Sequence, residues 1–503
     1  MTQPSADTSS EYRAALDIGS NSFHFVLARQ VEEQVQILHA EKYRVQLAQG
    51  LDQHDVLSQE AIVRGVAVLQ KLAISTQHIA PDNFRAVATY TLRQASNAAA
   101  FLKAAEKVFP FPIEIISGHE EARLIYQGVA HHRQNNHQQL VIDIGGGSTE
   151  CIIGQSYDVK RLDSLNMGCV SYQQQFFPEG KITAKAFKEA IRSASHEVDN
   201  IVKRFSQCGW QHVLGTSGTI KAIANIVNAE NEIIQPVTLR DVKQLKKQLL
   251  AFDNTQDIQL AGLKESRRAV ICSGVAILQA VMQCLDIKEI EYCQYALREG
   301  VLFEQAENVQ HNNVRQRTID GLATRFNIDT QQASIVNKLT LTLYQQTKEA
   351  WQLNKAIYKE LLTFAALIHE LGVDINASGY QKHGQYIIEQ ADLAGFNQEQ
   401  QRALAWIVGN QRKRIIPMLV EQSHHLSTDI LQKLCVLLRL SVLLSQQRQQ
   451  ESDYPITLHA DDNKLTLAIN RQWLKERPII DTELFYEVQQ LEKIGITLLI
   501  KLT

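Results

Sequence analysis

The residues most able to do chemistry in this chain are acids at the ends of apolar strands, each followed by a glycine turn and small hydroxyl residues. The pattern stands at Ala15-Leu16-Asp17-Ile18-Gly19-Ser20-Asn21-Ser22 and returns at Val141-Ile142-Asp143-Ile144-Gly145-Gly146-Gly147-Ser148-Thr149. An Asp at the carboxyl end of a buried strand can hold a metal ion. Glycines let backbone N–H groups close around phosphate oxygens, and Ser adds a hydroxyl donor. A second copy implies two related halves facing one ligand, so Ser20, Asn21, Ser22 and Gly145, Gly146, Gly147, Ser148 are candidate phosphate contacts. A third segment, His212-Val213-Leu214-Gly215-Thr216-Ser217-Gly218-Thr219-Ile220-Lys221, runs a strand into a turn that opens a helix. Gly215, Ser217, Gly218 and Thr219 there would offer donors at the positive end of a helix dipole. A plain strand-to-helix turn has the same composition, and for this segment alone both readings stand.

Asp143 and Glu150 lie seven positions apart, so a β-turn can bring the end of one strand beside the start of the next. Hard carboxylate oxygens suit Mg²⁺, which keeps waters and completes its shell with substrate phosphate. Asp17 is the symmetric counterpart. A turn-initiating Asp and a solvated strand Glu are the ordinary alternatives. Arg93 carries a planar fork matched to phosphate oxygens, and pairing with a nearby carboxylate is compatible with that role.

The elements that must position these residues fall into two similar blocks. From Tyr12 to about Leu124 the order reads strand, strand, strand, helix, strand, helix, strand, with strands such as Phe23–Ala28 and Val35–Leu38. A helix is marked by Ala61, Val63, Val66, Val68, Leu69 and Leu72. From Ile125 to about Gln305 the order recurs, with strands at 140–143, 150–153 and 159–163. Beyond Asn308 strand patterns vanish, and helical periodicity predicts an all-helical domain from Val314 to about Gln447. Alternation returns at Ile456–Ala460, Leu465–Ile469 and Ile496–Leu502, which predicts a small strand-containing module.

The chain has 503 residues, so several cores are expected. A formal net charge of −3 argues against a protein that coats nucleic acid, and a polyanion ligand would need a local basic cleft. No apolar run is long enough to span a membrane, and the first ten residues lack a signal-peptide core. A cytoplasmic protein is expected, with peripheral attachment to the inner face of the cell membrane left open. Seven cysteines without CxxC spacing suggest reduced, buried thiols rather than disulfides or a zinc site.

The three loops resemble the superfamily that includes actin, the heat-shock chaperone ATPases and the sugar kinases. Ala88-Thr89-Tyr90-Thr91-Leu92-Arg93-Gln94-Ala95, Ile116-Ser117-Gly118-His119-Glu120-Glu121-Ala122-Arg123, Asn166-Met167-Gly168-Cys169-Val170 and Ala296-Leu297-Arg298-Glu299-Gly300 resemble the diagnostic motifs of the exopolyphosphatase and guanosine pentaphosphate phosphohydrolase family. The resemblance implies an α/β fold with actin-like domains at 12–124 and 125–307, an HD-like helical domain at 308–450 and a small α+β domain at 451–503. It also implies a homodimer, and Mg²⁺, with Mn²⁺ as the alternative, held by Asp143, Glu150 and Asp17. Glu121 matches the catalytic Glu of the family.

Gly145-Gly146-Gly147-Ser148 and Ile113–Gly118 resemble the polyphosphatase branch, so the expected activity is removal of terminal phosphate from polyphosphate. Hydrolysis of guanosine pentaphosphate to the tetraphosphate is the alternative, and an actin-like or chaperone-like ATPase switch the more distant one. Tyr295 stands where the family has a small residue, and is expected to reshape the neighbouring pocket. In the helical part, Ile368-His369-Glu370-Leu371-Gly372 and Lys382-His383-Gly384 resemble a degenerate HD site with His369 structural. Arg412, Lys413 and Arg414 are candidates for a polyphosphate channel, and ordinary solvated surface is the competing reading.

Overall fold

The computed structural model describes residues 12–31, 34–132, 137–231, 235–307, 314–391, 393–416, 426–449 and 454–503. It forms two compact units, Met1–His311 and Asn312–Thr503. The first unit contains two sheets built by one rule. β1 (Tyr12–Ile18), β2 (Ser22–Val31) and β3 (Gln34–Arg44) form an antiparallel meander. After helix α1 (Gln59–Ser75), β4 (Phe84–Ala88) joins the other side of β1 in parallel. Helices α2 (Tyr90–Gln94) and α3 (Ala98–Glu106) lead to β5 (Ile113–Ile115), giving the order β3-β2-β1-β4-β5.

Helix α4 (Gly118–His132) carries the chain to the second sheet. There β6 (Gln139–Ile144), β7 (Thr149–Gln155) and β8 (Asp158–Leu165) repeat the meander. After α5 (Cys169–Phe176) and α6 (Ala184–Cys208), β9 (His212–Thr216) pairs in parallel with β6. Helix α7 (Ser217–Val227), β10 (Val237–Thr238), α8 (Leu239–Leu249), α9 (Arg268–Cys284) and β11 (Glu289–Tyr292) complete the order β10-β11-β9-β6-β7-β8. The sequence repeat is thus a repeat of topology.

Local causes are visible in the elements. Every residue of β6 is buried, as expected of a central strand covered on both faces. In α6 the buried residues Ala186, Phe187, Ala190, Ala194, Val198, Ile201 and Phe205 recur every three or four positions, and Thr183 caps its start. Val63 departs from the apolar stripe expected of α1, because it is 57% exposed while Ile62, Gly65, Leu69 and Leu72 face the core.

The chain returns through α10 (Leu297–Glu307), which packs on α4 and on β1 and β2 of the first sheet. The two helices cross glycine on glycine. A Cβ on Gly128 would lie 2.3 Å from the Ala296 carbonyl oxygen, and one on Gly300 1.8 Å from that of Leu124. The boundary expected at 124/125 falls inside α4.

In the second unit α11 (Val314–Arg325), α12 (Thr330–Thr347), α13 (Ala356–Leu367), α14 (Tyr380–Gln390), α15 (Gln398–Gly409) and α16 (Thr428–Leu444) precede β12 (Ile456–Asp461), β13 (Lys464–Ile469), α17 (Arg471–Lys475), α18 (Pro478–Glu492) and β14 (Thr497–Leu502). The strand-bearing tail shares one hydrophobic core with the helices. Trp351 Nε1 donates to the Asp462 carbonyl at 2.8 Å, and the Leu458 N–H to Gln346 Oε1 at 2.7 Å. None of the seven cysteines is in a disulfide, and five of them are buried. Among the described residues no helix is long and apolar enough to cross a membrane.

Candidate active site

The two Asp-Gly turns meet in the first unit. Asp17 ends β1 opposite His24 of β2, and Asp143 ends β6 opposite Glu150 of β7, the cross-strand pairing that the seven-residue spacing suggested. The Gly145 N–H donates to the Ser148 carbonyl at 2.9 Å and closes the second turn. A Cβ on Gly146 would stand 2.7 Å from Ser20 Cβ, and one on Gly147 only 2.0 Å from the Tyr90 ring. Gly146 is therefore required by the close approach of the two turns, and Gly147 by the Tyr90 ring of α2. β9, beside β6, brings the Thr216 hydroxyl to Asp143 Oδ2, to which it donates. Ser217 follows with φ of 74°, a strained conformation for a non-glycine residue, and its Oγ donates to the Ile144 carbonyl at 2.9 Å.

These turns wall a cleft of about 270 Å³. It brings together Asp17, Glu121 and Asp143 with Ser20, Asn21, Ser22, Gly145, Gly146, Gly147, Ser148, Ser217, Gly218 and Thr219. Three of the expected residues are not on its wall. Gly215 lies within β9, where a Cβ would meet Ile220 and Ile290 at 2.7 Å. Glu150 is fully buried, its Oε1 accepting from Ser164 Oγ at 2.9 Å. Arg93 is turned to the protein: Nη1 donates to the Ile116 carbonyl at 2.9 Å and to Glu121 Oε2 at 3.1 Å. Of its two compatible roles, the structure displays the carboxylate partner.

The acids of the cleft are poorly compensated. Glu121 reaches it from the first turn of α4, while its neighbour Glu120 turns away to accept two bonds from Arg123, at 2.8 and 2.7 Å. Burial raises the Glu121 carboxyl above its usual range, with Arg93 pulling the other way. Burial raises Asp143 to about 7, aided by the charge of Glu121 and opposed by the Thr216 and Ser217 hydroxyls. Asp17 is raised well above normal by burial and then by Glu121 and Asp143, and its Oδ1 is solvent-shielded without a hydrogen-bond partner. Glu150 is raised by burial, Glu121 and Asp143, and its Oε2 is likewise unpartnered. Like charges are crowded out of water here, an arrangement characteristic of functional sites.

Cations that sequence reasoning did not select share the cleft: Lys42, Lys221, Arg267 and Arg298, with His24 among them. Strand register puts Asp17, His24 and Lys42 in one row across β1, β2 and β3. Burial and the charges of Arg267, Arg298 and Lys221 lower Lys42 to about 8. Burial, with Lys42, Arg298 and Arg267, holds His24 near 3, so its imidazole is neutral. Arg298 Nε donates to Glu299 Oε1 at 2.5 Å. The signal for Lys42 lay in antiparallel register; Arg267 carried none beyond its place before a helix. Tyr295, expected to reshape the pocket, stacks instead on His132 with centroids 4.1 Å apart, and Gln294 and Ala296 line the cleft.

In the second unit, His369 is buried, Nδ1 lies 2.8 Å from the Ala366 carbonyl, and burial lowers its pKa to about 4. Glu370 pairs with Arg448, which also holds Asp329 at 2.8 Å. Arg412 lies over the Tyr380 ring, 4.7 Å from its centroid, and Lys413 Nζ donates to the Ser378 carbonyl. Arg439 donates through Nη2 to the Lys413 carbonyl at 2.8 Å and so fixes the turn that leads to Arg414.

Comparison with known proteins agrees with this layout. Residues 26–309 match the Ppx/GppA phosphatase family and residues 314–488 match Ppx/GppA phosphatase, domain III. A protein of Vibrio vulnificus named guanosine-5'-triphosphate,3'-diphosphate pyrophosphatase is 36% identical over 97% of this chain and 98% of its own length. The similarly named protein of Pseudoalteromonas translucida is 37% identical over the same shares. Among solved structures, a Ppx/GppA family member of Aquifex aeolicus aligns with a TM-score of 0.52 at 22% identity, covering 60% of this chain and 99% of that one. An exopolyphosphatase of Cytophaga hutchinsonii aligns with a TM-score of 0.54 at 24% identity and covers the same shares, a likeness of fold alone. With the paired Asp-Gly turns and Glu121 gathered at one cleft and both matched segments spanning most of the chain, the chain belongs to the Ppx/GppA phosphatase family and is a hydrolase of phosphoanhydride bonds.

Proposed function

We propose that this chain removes the terminal 5'-phosphate from guanosine 5'-triphosphate 3'-diphosphate by direct attack of water, leaving the 5'-diphosphate. The observation that carries the chemistry is Glu121, a buried carboxylate of raised pKa between two glycine turns, with Arg93 bonded to one of its oxygens. A carboxylate so placed can orient a water and take its proton as the phosphorus–oxygen bond forms. Backbone N–H groups of the Ser20–Ser22 and Gly145–Ser148 turns, with Lys42, Lys221, Arg267 and Arg298, supply donors and positive charge for phosphate oxygens.

The expected exopolyphosphatase activity is corrected by the full-length relatives, which are 36–38% identical and are named for the guanosine nucleotide. Gly147, part of the reason for that expectation, has a packing reason of its own in the Tyr90 ring, which a Cβ would meet at 2.0 Å.

A divalent ion fits this site. Among the described residues no three His, Cys, Asp or Glu side chains gather into a closed ligand set. Mg²⁺ needs none, since one or two carboxylates with water and substrate phosphate suffice. The unpartnered Asp17 Oδ1 and the raised carboxyls of Asp17 and Asp143 suit such an ion, so these two residues would hold it, with Glu150 behind Asp143. Bound there, Mg²⁺, or Mn²⁺ in its place, would neutralise phosphate charge.

Phosphate release from guanosine 5'-triphosphate 3'-diphosphate and from long polyphosphate, measured in parallel, tests the reading. A kcat/KM at least about tenfold higher for the nucleotide is expected, equivalent to ~1.4 kcal/mol of transition-state discrimination. Preference for polyphosphate, or no release from the nucleotide, would overturn it.

A further inference from the structure

Away from the cleft, the first unit holds a chain of alternating charges that the hydrolytic reading does not use. Glu114 of β5 accepts from Arg85 of β4 through both carboxylate oxygens, at 3.2 Å each. Arg85 Nη1 donates to Glu304 Oε2 of α10 at 2.5 Å, and Glu304 Oε1 accepts from Arg123 of α4. Arg123 grips Glu120, the residue beside the proposed base. Burial disfavours the Glu304 charge, but Arg123 and Arg85 outweigh it and hold the carboxyl at about 2. Ionised, it serves both guanidinium groups at once.

The placement of Glu304 makes this more than a buried ion pair. Helix α4 presents Glu121 from its first turn, and α10 presents Arg298 from its own. The helices meet backbone to backbone at Gly128 and Gly300, beside a shared apolar cluster that includes Leu124, Val129, Val301 and Leu302. Glu304, about two turns along α10, is the bridge that ties α4 to α10 and both to β4.

We propose that Glu304 is a positioning residue for the catalytic base: by joining Arg123 to Arg85 it fixes the roll of α4, and with it the place of the Glu121 carboxylate in the cleft. The inference rests on reading Glu121 as the base. A misplacement of about 1 Å can cost on the order of 100-fold in rate, so a loose α4 should lower turnover while leaving the phosphate loops to bind.

The test is Glu304→Gln, assayed on any phosphoanhydride that the wild type cleaves. A glutamine loses the charge and keeps one acceptor oxygen, turning an NH2 donor toward the arginine that the other oxygen served. A fall in kcat of about 10- to 100-fold is expected, with KM changed less than about threefold. Glu114→Gln weakens the far end of the same network on the β4–β5 side and serves as the control. It should lower thermal stability by a similar amount and leave kcat unchanged. If Glu304→Gln does not fold, Glu304→Asp, too short to reach both arginines, should show the same split in weaker form. Wild-type kcat in the Glu304 variants, or an equal kcat loss in Glu114→Gln, would overturn the proposal. Glu121→Gln, run alongside, separates the two levels: wild-type turnover there overturns the base assignment and the positioning role together. Lost turnover there with unchanged Glu304 variants overturns the positioning role alone.

Discussion

Buried charge is handled in opposite ways in the two units. In the first, burial raises the pKa of Asp17, Glu121, Asp143 and Glu150, the Glu121 charge adds to the rise of the other three, and two carboxylate oxygens lack partners. In the second, Arg439 is 2% exposed and Glu487 6%, and the pair is joined at 2.6 and 2.7 Å. The rest of the Arg439 guanidinium is taken up by the carbonyls of Asn410 and Lys413. The second arrangement consumes its electrostatics in holding a turn. The first leaves its acids crowded and desolvated, at a cost in stability that a bound divalent cation would relieve.

The contrast can be broken most sharply at Glu121. Glu121→Gln should lower phosphate release by about two to four decades, the range for a lost general base, while substrate affinity changes little. Equilibrium binding of a slowly hydrolysed substrate analogue checks the second half. Glu487→Gln should do the reverse, since it leaves the Arg439 charge buried without its counter-ion. A loss of about 3–5 kcal/mol in unfolding free energy is expected, read by denaturant titration, with turnover of the folded protein unchanged.

Asp143→Asn sharpens the comparison through pH. Its folded-state carboxyl lies at about 7 against a reference of 3.8, so the folded chain binds the proton more tightly than the unfolded one. The associated stability is present below about pH 4, falls as pH rises to about 7, and is gone above it. Asp143→Asn lacks that fall and should melt a few degrees above wild type at pH 8 without divalent ions. Its activity should need about tenfold more Mg²⁺. A melting temperature at pH 8 below that of wild type would contradict the electrostatic picture.

The smallest effect is expected at Arg93. Arg93→Met removes the charge that favours ionised Glu121, so the Glu121 pKa should rise further. The acid limb of the kcat profile should then move to higher pH, and an unmoved limb would show that Arg93 does not act through Glu121.

Much of the site was legible because its parts are local in sequence. The two Asp-Gly turns, the strands around them and the Glu-Glu-Ala-Arg turn each declare themselves within ten residues, and the repeat foretold two sheets of one topology. What composition could not declare was long-range. Lys42 enters the cleft through strand register, Arg267 through a helix start far along the chain, and Tyr295 leaves it because the C-terminal end of α4 offers His132 for stacking. Arg93 illustrates the limit of residue type: a guanidinium near phosphate loops is equally suited to the carboxylate beside them. The basic run at 412–414 is another case, since its Arg and Lys are engaged by a tyrosine ring and a backbone carbonyl.

The most direct measurement is a paired determination of kcat and melting temperature for Glu121→Gln and Glu487→Gln at pH 8. Removing a crowded, desolvated charge from the cleft should abolish most turnover without lowering the melting temperature. Removing half of a satisfied buried pair should lower the melting temperature without lowering kcat. A Glu121→Gln protein that loses stability and keeps its turnover, or a Glu487→Gln protein that keeps its stability and loses turnover, would contradict the assignment of the cleft acids to chemistry and of the helical unit's buried pair to structure.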